Sequence, residues 1–356
     1  MSEINYPLED DLPKVGQAKA LNSFVKWVRM PLPFALNHIN LWLLRDSFNG
    51  IDGWTLVDCG IANEASKEAW EDIFKNELEG LPIVRVIVTH MHPDHIGLSS
   101  WLCEKWGVPL WITMTDFLLA KWLISPSGTK TGSVAGGGGA AEHFSKHGLT
   151  EESDLEKIRA RADYFSNMVP SLPPRFRRIL DNEVIQIGGH SWKVIVGYGH
   201  APEHASFWCA DLNLLISGDM VLPRISTNVS VFDTEPDADP LGLYLSSIER
   251  YLDLPDGVLV LPSHGKPFNG LHFRVEQLKQ HHADRLQETM TFCSSGRGHA
   301  RDLVPVMFKR ELDLHQLTFA MGEAIAHLNF LWRRGYLLRE ACSDGVLRFS
   351  CLKSYP

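Results

Sequence analysis

The sequence predicts an α/β chain organised around a central sheet with both faces covered, and three observations carry that prediction. Ile83, Val84, Val86, Ile87 and Val88 form the near-continuous apolar run of a strand buried on both sides. Strand-like runs and amphipathic helical patterns follow one another before and after it. Histidines and aspartates recur where such runs end, at His90, Asp219, His200 and His264.

The chain has 356 residues, enough for a large domain alone or one domain with a smaller module. A formal charge of -9 argues against a dedicated nucleic-acid coat protein. The six cysteines are scattered without a CxxC pair, which predicts buried, reduced thiols and a reducing compartment. The acidic beginning MSEINYPLEDD lacks a basic start and an apolar core, and no apolar run is long enough for a bilayer. A cytoplasmic protein without a membrane partner is the expectation.

In order, FVKWVRM, NHINLWLLRD and WTLVDCG predict strands, with a turn at SFNGIDG giving a β-hairpin. Asp58 ends the last of these, either as a turn former or as a carboxylate that steadies a ligand histidine through its free N–H. Residues 64–79 carry Ala69, Trp70, Ile73, Phe74 and Leu78 at helical spacing. The chain then enters LPIVRVIVTHMHPDHIG, where His90, His92, Asp94 and His95 fall within six residues at a strand end. His90 and His92, two apart in extended chain, project to one side. Pro93 ends regular pairing, and Asp94 and His95 open a helix. Three imidazoles and a carboxylate at that density suit a divalent transition metal.

Residues 108–113 predict another strand and 115–124 a helix. The small-residue stretch that follows contains four consecutive glycines, 136–139, and predicts a mobile loop. Its Gly128, Thr129, Lys130 and Thr131 do not complete a phosphate-binding GxxxxGK[ST]. Residues 150–169 predict one helix, closed by Pro170, Pro173 and Pro174. The whole 114–180 segment reads as an insertion, placed to serve as a lid or substrate wall. Beyond it EVIQI and WKVIVGYGH predict a hairpin turning at Gly188 and Gly189, and the second run leads to His200. ASFWCA and NLLISGD predict two more strands, the latter ending in Asp219, and VLVLPSHG ends in His264.

The order HxHxDH, H, D, H resembles the metallo-β-lactamase fold superfamily over roughly residues 20–275. THMHPDHIG stands at its first motif, GHAPEH at the second, SGD at the third and LPSHG at the last. The resemblance implies an αβ/βα sandwich with a metal site at one edge. It implies that His90, His92 and His200 hold one ion, that Asp94, His95 and His264 hold another, and that Asp219 bridges them. It also favours a supporting role for Asp58. Ala201 and Glu203 depart from the GHTxGH form of the second motif, and Ser263 departs from PGHG. Histidine at position 92 disfavours the flavodiiron branch, which has glutamate there. Leu222, where lactonases often carry tyrosine, lowers that activity in rank. The chain looks most like the lactamase-β-like and glyoxalase-II-type members.

The cofactors implied are two divalent ions, Zn2+ first and Fe or Mn as alternatives. Such a pair lowers the pKa of a shared water towards 7, and Asp94 is the residue placed to orient that water or pass its proton. The expected reaction is hydrolysis of a thioester or ester of a small acyl carrier such as coenzyme A or glutathione. The alternatives are single-strand RNA cleavage and lactone or β-lactam-type amide hydrolysis. His204 is a candidate to support a ligand or to donate to an oxyanion, and it can equally be a packed histidine. Arg224 is a candidate for an anionic substrate group or a surface arginine.

From 271 onward two helices, a longer helical segment and two strands around SDG predict a small winged-helix-like domain, dividing the chain into 1–270 and 271–356. The segment from His315 to Leu331 carries only Glu323 as a formal charge. It therefore predicts a buried helix for packing or homodimerisation rather than a nucleic-acid reader.

Overall fold

The computed structural model describes residues 3–126 and 136–355. The chain divides into two compact units: residues 1–124, 166–227 and 248–275 form the first, and 125–165, 228–247 and 276–356 form the second. The 114–180 segment is thereby split, its ends belonging to the first unit and its middle to the second.

The first unit holds two sheets. One has seven strands in chain order: β1 Ala18–Ala20, β2 Val25–Pro31, β3 His38–Phe48, β4 Ile51–Val57, β5 Ile83–Ile87, β6 Leu110–Ile112 and β7 Phe176–Arg178. Its first half is an antiparallel meander and its second half, from β4 to β7, is parallel. Asn49 and Gly50, at φ 52° and 79°, make the tight turn between β3 and β4. The switch to parallel pairing needs crossovers, supplied by helices α1 Glu64–Asn76, α2 Pro93–Ile96 and α3 Ser99–Trp106. Helix α1 is capped by Asn63, whose side chain accepts the Ser66 N–H, and it buries Ala69, Trp70 and Ile73. The predicted helix at 115–124 is α4, Met114–Leu123.

The second sheet has five strands: β8 Val184–Ile187, β9 His190–Gly197, β10 His204–Cys209, β11 Leu214–Gly218 and β12 Leu259–Pro262. They lie in the order β12-β11-β10-β9-β8, antiparallel except for the parallel pair β11 and β12. The two sheets share one core, to which the first contributes Val25, Trp27, Trp42, Val57 and Ile87 and the second Trp192, Val194, Phe207, Ile216 and Leu261. This is the two-layered sandwich expected. A buried ion pair within the first sheet reaches the second through its hydrogen bonds: Arg85 Nη2 lies 2.6 Å from Asp46 Oδ2, and Arg85 also donates to the Gln186 carbonyl. Asp46 Oδ1 in turn accepts the Gly188 N–H at 2.9 Å.

In the second unit the glycine run does not form a loop where it is described. Gly137 precedes helix α5, Gly138–Lys146, whose first turn contains Gly138 and Gly139, while Gly136 is buried against Arg161. Buried Ala140, Ala141 and Phe144 hold this helix in place despite its poor opening residues. The residues 128–131 that fail the phosphate motif lie outside the described residues. The single helix expected over 150–169 is two, α6 Glu152–Arg159 and α7 Tyr164–Met168, the chain turning between them before it returns to the first unit. Helix α8, Pro240–Glu249, has no counterpart among the expectations, for it has no charged residue before Glu249 to mark a polar face.

The C-terminal segment contains α9 Leu271–Ser294, α10 Ala300–Met307 and α11 Leu314–Arg333, followed by the antiparallel pair β13 Leu337–Ala341 and β14 Leu347–Cys351. Asp313 and Gln316 form a reciprocal cap at the start of α11. From Leu317 to Leu331 nearly every residue of α11 is buried, Glu323 included, as the lack of charge predicted. The thiols of Cys59, Cys103, Cys209 and Cys293 are free and buried, but Cys351 is exposed on the last strand and Cys342 is partly so. No helix of the described residues is long and apolar enough to cross a membrane.

Candidate metal centre

The parallel pairs explain where the polar cluster forms. β4 and β5 run together and end at Asp58 and the 88–92 loop, while β9, β11 and β12 point the same way and end near His200, Asp219 and His264. Seven side chains from these ends meet as two groups. Donor atoms of His90, His92, His200 and Asp219 lie within 4.8 Å of one another, and so do those of Asp94, His95 and His264. Asp219 spans both groups, 3.3 Å from His200 Nε2, 3.6 Å from His95 Nε2 and 3.5 Å from His264 Nε2. All seven expected ligands are thus brought together.

Three of the rings are aimed by a partner behind them. His95 Nδ1 donates to Asp58 Oδ2 at 2.8 Å, leaving Nε2 towards the cluster. Asp58 itself sits at φ 64°, a conformation that short acidic side chains tolerate, and it accepts the Thr89 N–H at 2.8 Å and the Thr89 hydroxyl. His90 Nδ1 is 3.0 Å from that same hydroxyl. His264 Nδ1 donates to the His38 carbonyl at 2.8 Å, and the Gly265 N–H donates to His38 Nε2 at 2.8 Å. Asn40 Nδ2 holds the Pro262 and Gly265 carbonyls on either side.

His204 is fully buried, and its Nε2 accepts the Asp219 N–H at 3.0 Å. The ring thus supports the backbone of Asp219, while its buried Nδ1 finds no hydrogen-bond partner among the described residues. The approach requires Gly218, at φ 55°, since a Cβ there would lie 2.3 Å from His204 Nε2. Arg224 is exposed and makes no hydrogen bond or ion pair among the described residues. Thr89, His38 and Asn40 are not marked by the sequence reading. The first could be suspected from its place beside His90; the other two act across more than two hundred residues of chain.

The electrostatics divide the cluster. Burial, reinforced by neighbouring imidazoles, keeps His90 well below the usual histidine range and takes His92 to about 3, so their lone pairs are available. Burial opposes charge on His95 and His264 too, but Asp94, Asp58 and Asp219 outweigh it. His95 is pushed well up and His264 to about 10. Those cations in turn overcome burial to hold Asp94 down to about 2 and Asp219 well below the carboxylate range. In the absence of an ion, the two carboxylates and two of the histidines neutralise each other.

The donor set fits divalent ions. Buried His95 Nε2 and Asp219 Oδ1 find no hydrogen-bond partner among the described residues, although both face the cluster. Three imidazole nitrogens crowd together, His90 Nε2 lying 2.9 Å from His92 Nδ1 and 3.2 Å from His200 Nε2. Nitrogen and carboxylate oxygen donors in this proportion are those of zinc, iron and manganese sites.

A two-sheet sandwich carrying an interior histidine–aspartate centre at one edge defines a class of metal-site α/β proteins. The chain belongs to the metallo-beta-lactamase superfamily, whose model matches residues 36–264, and residues 286–352 match the metallo-beta-lactamase-like C-terminal domain. It is similar in structure to a beta-lactamase domain protein from Burkholderia ambifaria, with a TM-score of 0.91 and 49% identity over 98% of each chain. A metallo-beta-lactamase family protein from Thermus thermophilus matches at TM-score 0.76 and 27% identity, covering 93% of this chain and all of that one. A probable metallo-hydrolase of Bacillus subtilis (strain 168), YqjP, is 23% identical over 85% of this chain and 91% of its own. A Caenorhabditis elegans beta-lactamase-like protein 2 homolog is 24% identical over 89% of this chain and 83% of its own.

Proposed function

We propose that the chain is a binuclear metal-dependent hydrolase acting on a thioester or ester of a small acyl carrier, of the acyl-coenzyme A or acyl-glutathione kind. The observation that carries the reading is the grouping of seven donors into two adjoining sets with Asp219 between them. His90, His92 and His200 would hold one ion, Asp94, His95 and His264 the other, and Asp219 would face both. When bound, such a pair supplies Lewis acidity to the scissile carbonyl and a nucleophilic water at neutral pH.

The protein's own part is orientation and proton handling. Asp94 has a side chain 20% exposed, against 9% for Asp219, 4% for His264 and 0% for His95. It is therefore the carboxylate that meets an incoming substrate and water. Its Oδ2 faces His264 Nε2 at 3.4 Å and His95 Nε2 at 3.7 Å, which fixes that oxygen and leaves the carboxylate ionised to accept a water proton. Buried Asp58 and His204 and half-buried His38 fix the rings and the carboxylate around it, so little reorganisation accompanies the reaction. The chain's net charge of -9 opposes capture of a long nucleic-acid strand, and the hydrolase reading accords with the name of its relative.

The test is metal analysis of the purified protein and a panel of acyl-CoA, acyl-glutathione, lactone, β-lactam and RNA substrates. The expected result is two ions per chain, thioester or ester turnover, and a loss of at least about 100-fold in Asp94→Ala. Absence of metal, an Asp94→Ala variant as active as its parent, or cleavage confined to RNA would overturn the proposal.

A further inference from the structure

Asp116 stands in the first turn of α4 and is fully buried. Nothing in the sequence marks it, because an acidic residue at a helix start is ordinary. Its two oxygens serve two different loops. Oδ1 accepts the N–H of Met91 at 2.8 Å, and Oδ2 accepts the N–H of Glu203 at 2.7 Å. Met91 lies between His90 and His92, in the loop that leaves β5 of the seven-stranded sheet. Glu203 lies between His200 and His204, in the loop that joins β9 to β10 of the five-stranded sheet. One carboxylate thus spans the loops that carry His90, His92 and His200.

The contact is reciprocated. Glu203 Oε2 accepts the N–H of Thr115 at 3.2 Å, and the Thr113 hydroxyl donates to the Glu203 carbonyl at 2.9 Å. Glu203 is one of the two positions at which GHAPEH departs from the family's GHTxGH. The departure has a structural use, since the glycine of the common motif has no side-chain acceptor for the Thr115 N–H. Bonds from backbone N–H groups to a buried carboxylate are among the stronger hydrogen bonds, and their loss leaves donors with no other partner.

We infer that Asp116 is a positioning residue that fixes the backbone of the two loops carrying His90, His92 and His200, and so sets the affinity of that donor group for its ion. The other group, Asp94, His95 and His264, is held by Asp58 and His38 instead and does not depend on it. The inference rests on the binuclear reading above.

The test is competition of Zn2+ against a chromophoric chelator, with parallel Co2+ absorption spectra, on the parent, Asp116→Asn and Glu203→Gly. Asparagine keeps one acceptor oxygen but turns an amide NH2 towards the second N–H. The ion lost is assigned with His264→Ala, which removes the opposite group. Asp116→Asn is expected to bind the ion of His90, His92 and His200 about 10–100-fold more weakly and the other within about two-fold. Hydrogen exchange at the Met91 and Glu203 amides should quicken in the metal-free variant. Glu203→Gly, which keeps both Asp116 bonds, is expected to weaken the same ion by a smaller factor. It decides the matter if Asp116→Asn does not fold. Equal loss of both ions, or no loss at either, overturns the inference. A parent that binds no metal overturns the binuclear reading and this inference with it.

Discussion

Asp58 Oδ2 lies 2.8 Å from His95 Nδ1, with both side chains buried, and the same carboxylate ties down Thr89 beside His90. Asp58→Asn can no longer accept all these donors, and it loosens the tautomer that turns His95 Nε2 to the cluster. We expect the ion held by Asp94, His95 and His264 to weaken about 10–100-fold, measured by chelator competition. The ion of His90, His92 and His200 should weaken by a smaller factor, through the Thr89 hydroxyl that lies 3.0 Å from His90 Nδ1.

The Asp46–Arg85 pair, with both residues on the seven-stranded sheet, has side chains only 1% and 3% exposed. Asp46→Ala leaves a buried guanidinium without its partner, and a loss of about 3–5 kcal/mol is expected in urea unfolding. Replacing both residues with apolar ones of similar volume should recover much of it. A single variant as stable as the parent would show the pair to be dispensable.

Gly218 meets two demands at once, a φ of 55° and room for His204. Gly218→Ala is expected to lose about 1–3 kcal/mol from backbone strain and to displace the ring that receives the Asp219 N–H. Thermal unfolding reads the first effect and metal content the second.

The second unit buries four histidines in neutral form. Burial takes His143 to about 3, His282 to about 2, and His147 and His327 to about 4. In the unfolded chain each titrates near 6.5. As pH falls below that value the unfolded state gains protons that the folded state does not bind, so stability should drop towards pH 4. The slope is up to about 1.4 kcal/mol per pH unit for each histidine. Glu323 acts oppositely: burial raises it to about 7, so its contribution is present below about 4.5 and is lost as pH rises through 7. Chemical unfolding between pH 4 and 7, followed by hydrogen exchange in α11, should show the net acid loss. Quadruple replacement of the histidines with apolar residues should flatten it.

The strand ends were legible because their signals are local: a β-branched run, then a histidine or aspartate, then a glycine. His90, His92, Asp94 and His95 could be read almost from their spacing alone. His200, Asp219 and His264 became readable through repetition of the same pattern and the family resemblance. What could not be read was whatever acts at a distance. His38 supports His264 through its carbonyl, which no side-chain pattern encodes, and Asp116 looks like any helix-opening acid until its two partners are seen. The glycine run misled because propensity favours a loop at Gly138 and Gly139, while burial of Ala141 and Phe144 fixes a helix there. The break between α6 and α7 was invisible for the converse reason, since the helical pattern of 150–169 continues through residues that turn.

The donors of the metal centre are gathered from ends of β5, β9, β11 and β12, strands that belong to two different sheets and are far apart in the chain. An ion held among them is therefore a cross-link between layers, closing large loops of chain as a covalent bridge would. Metal uptake then reports on whether the whole sandwich has assembled, and a chain stripped of metal should fail first by parting at this edge.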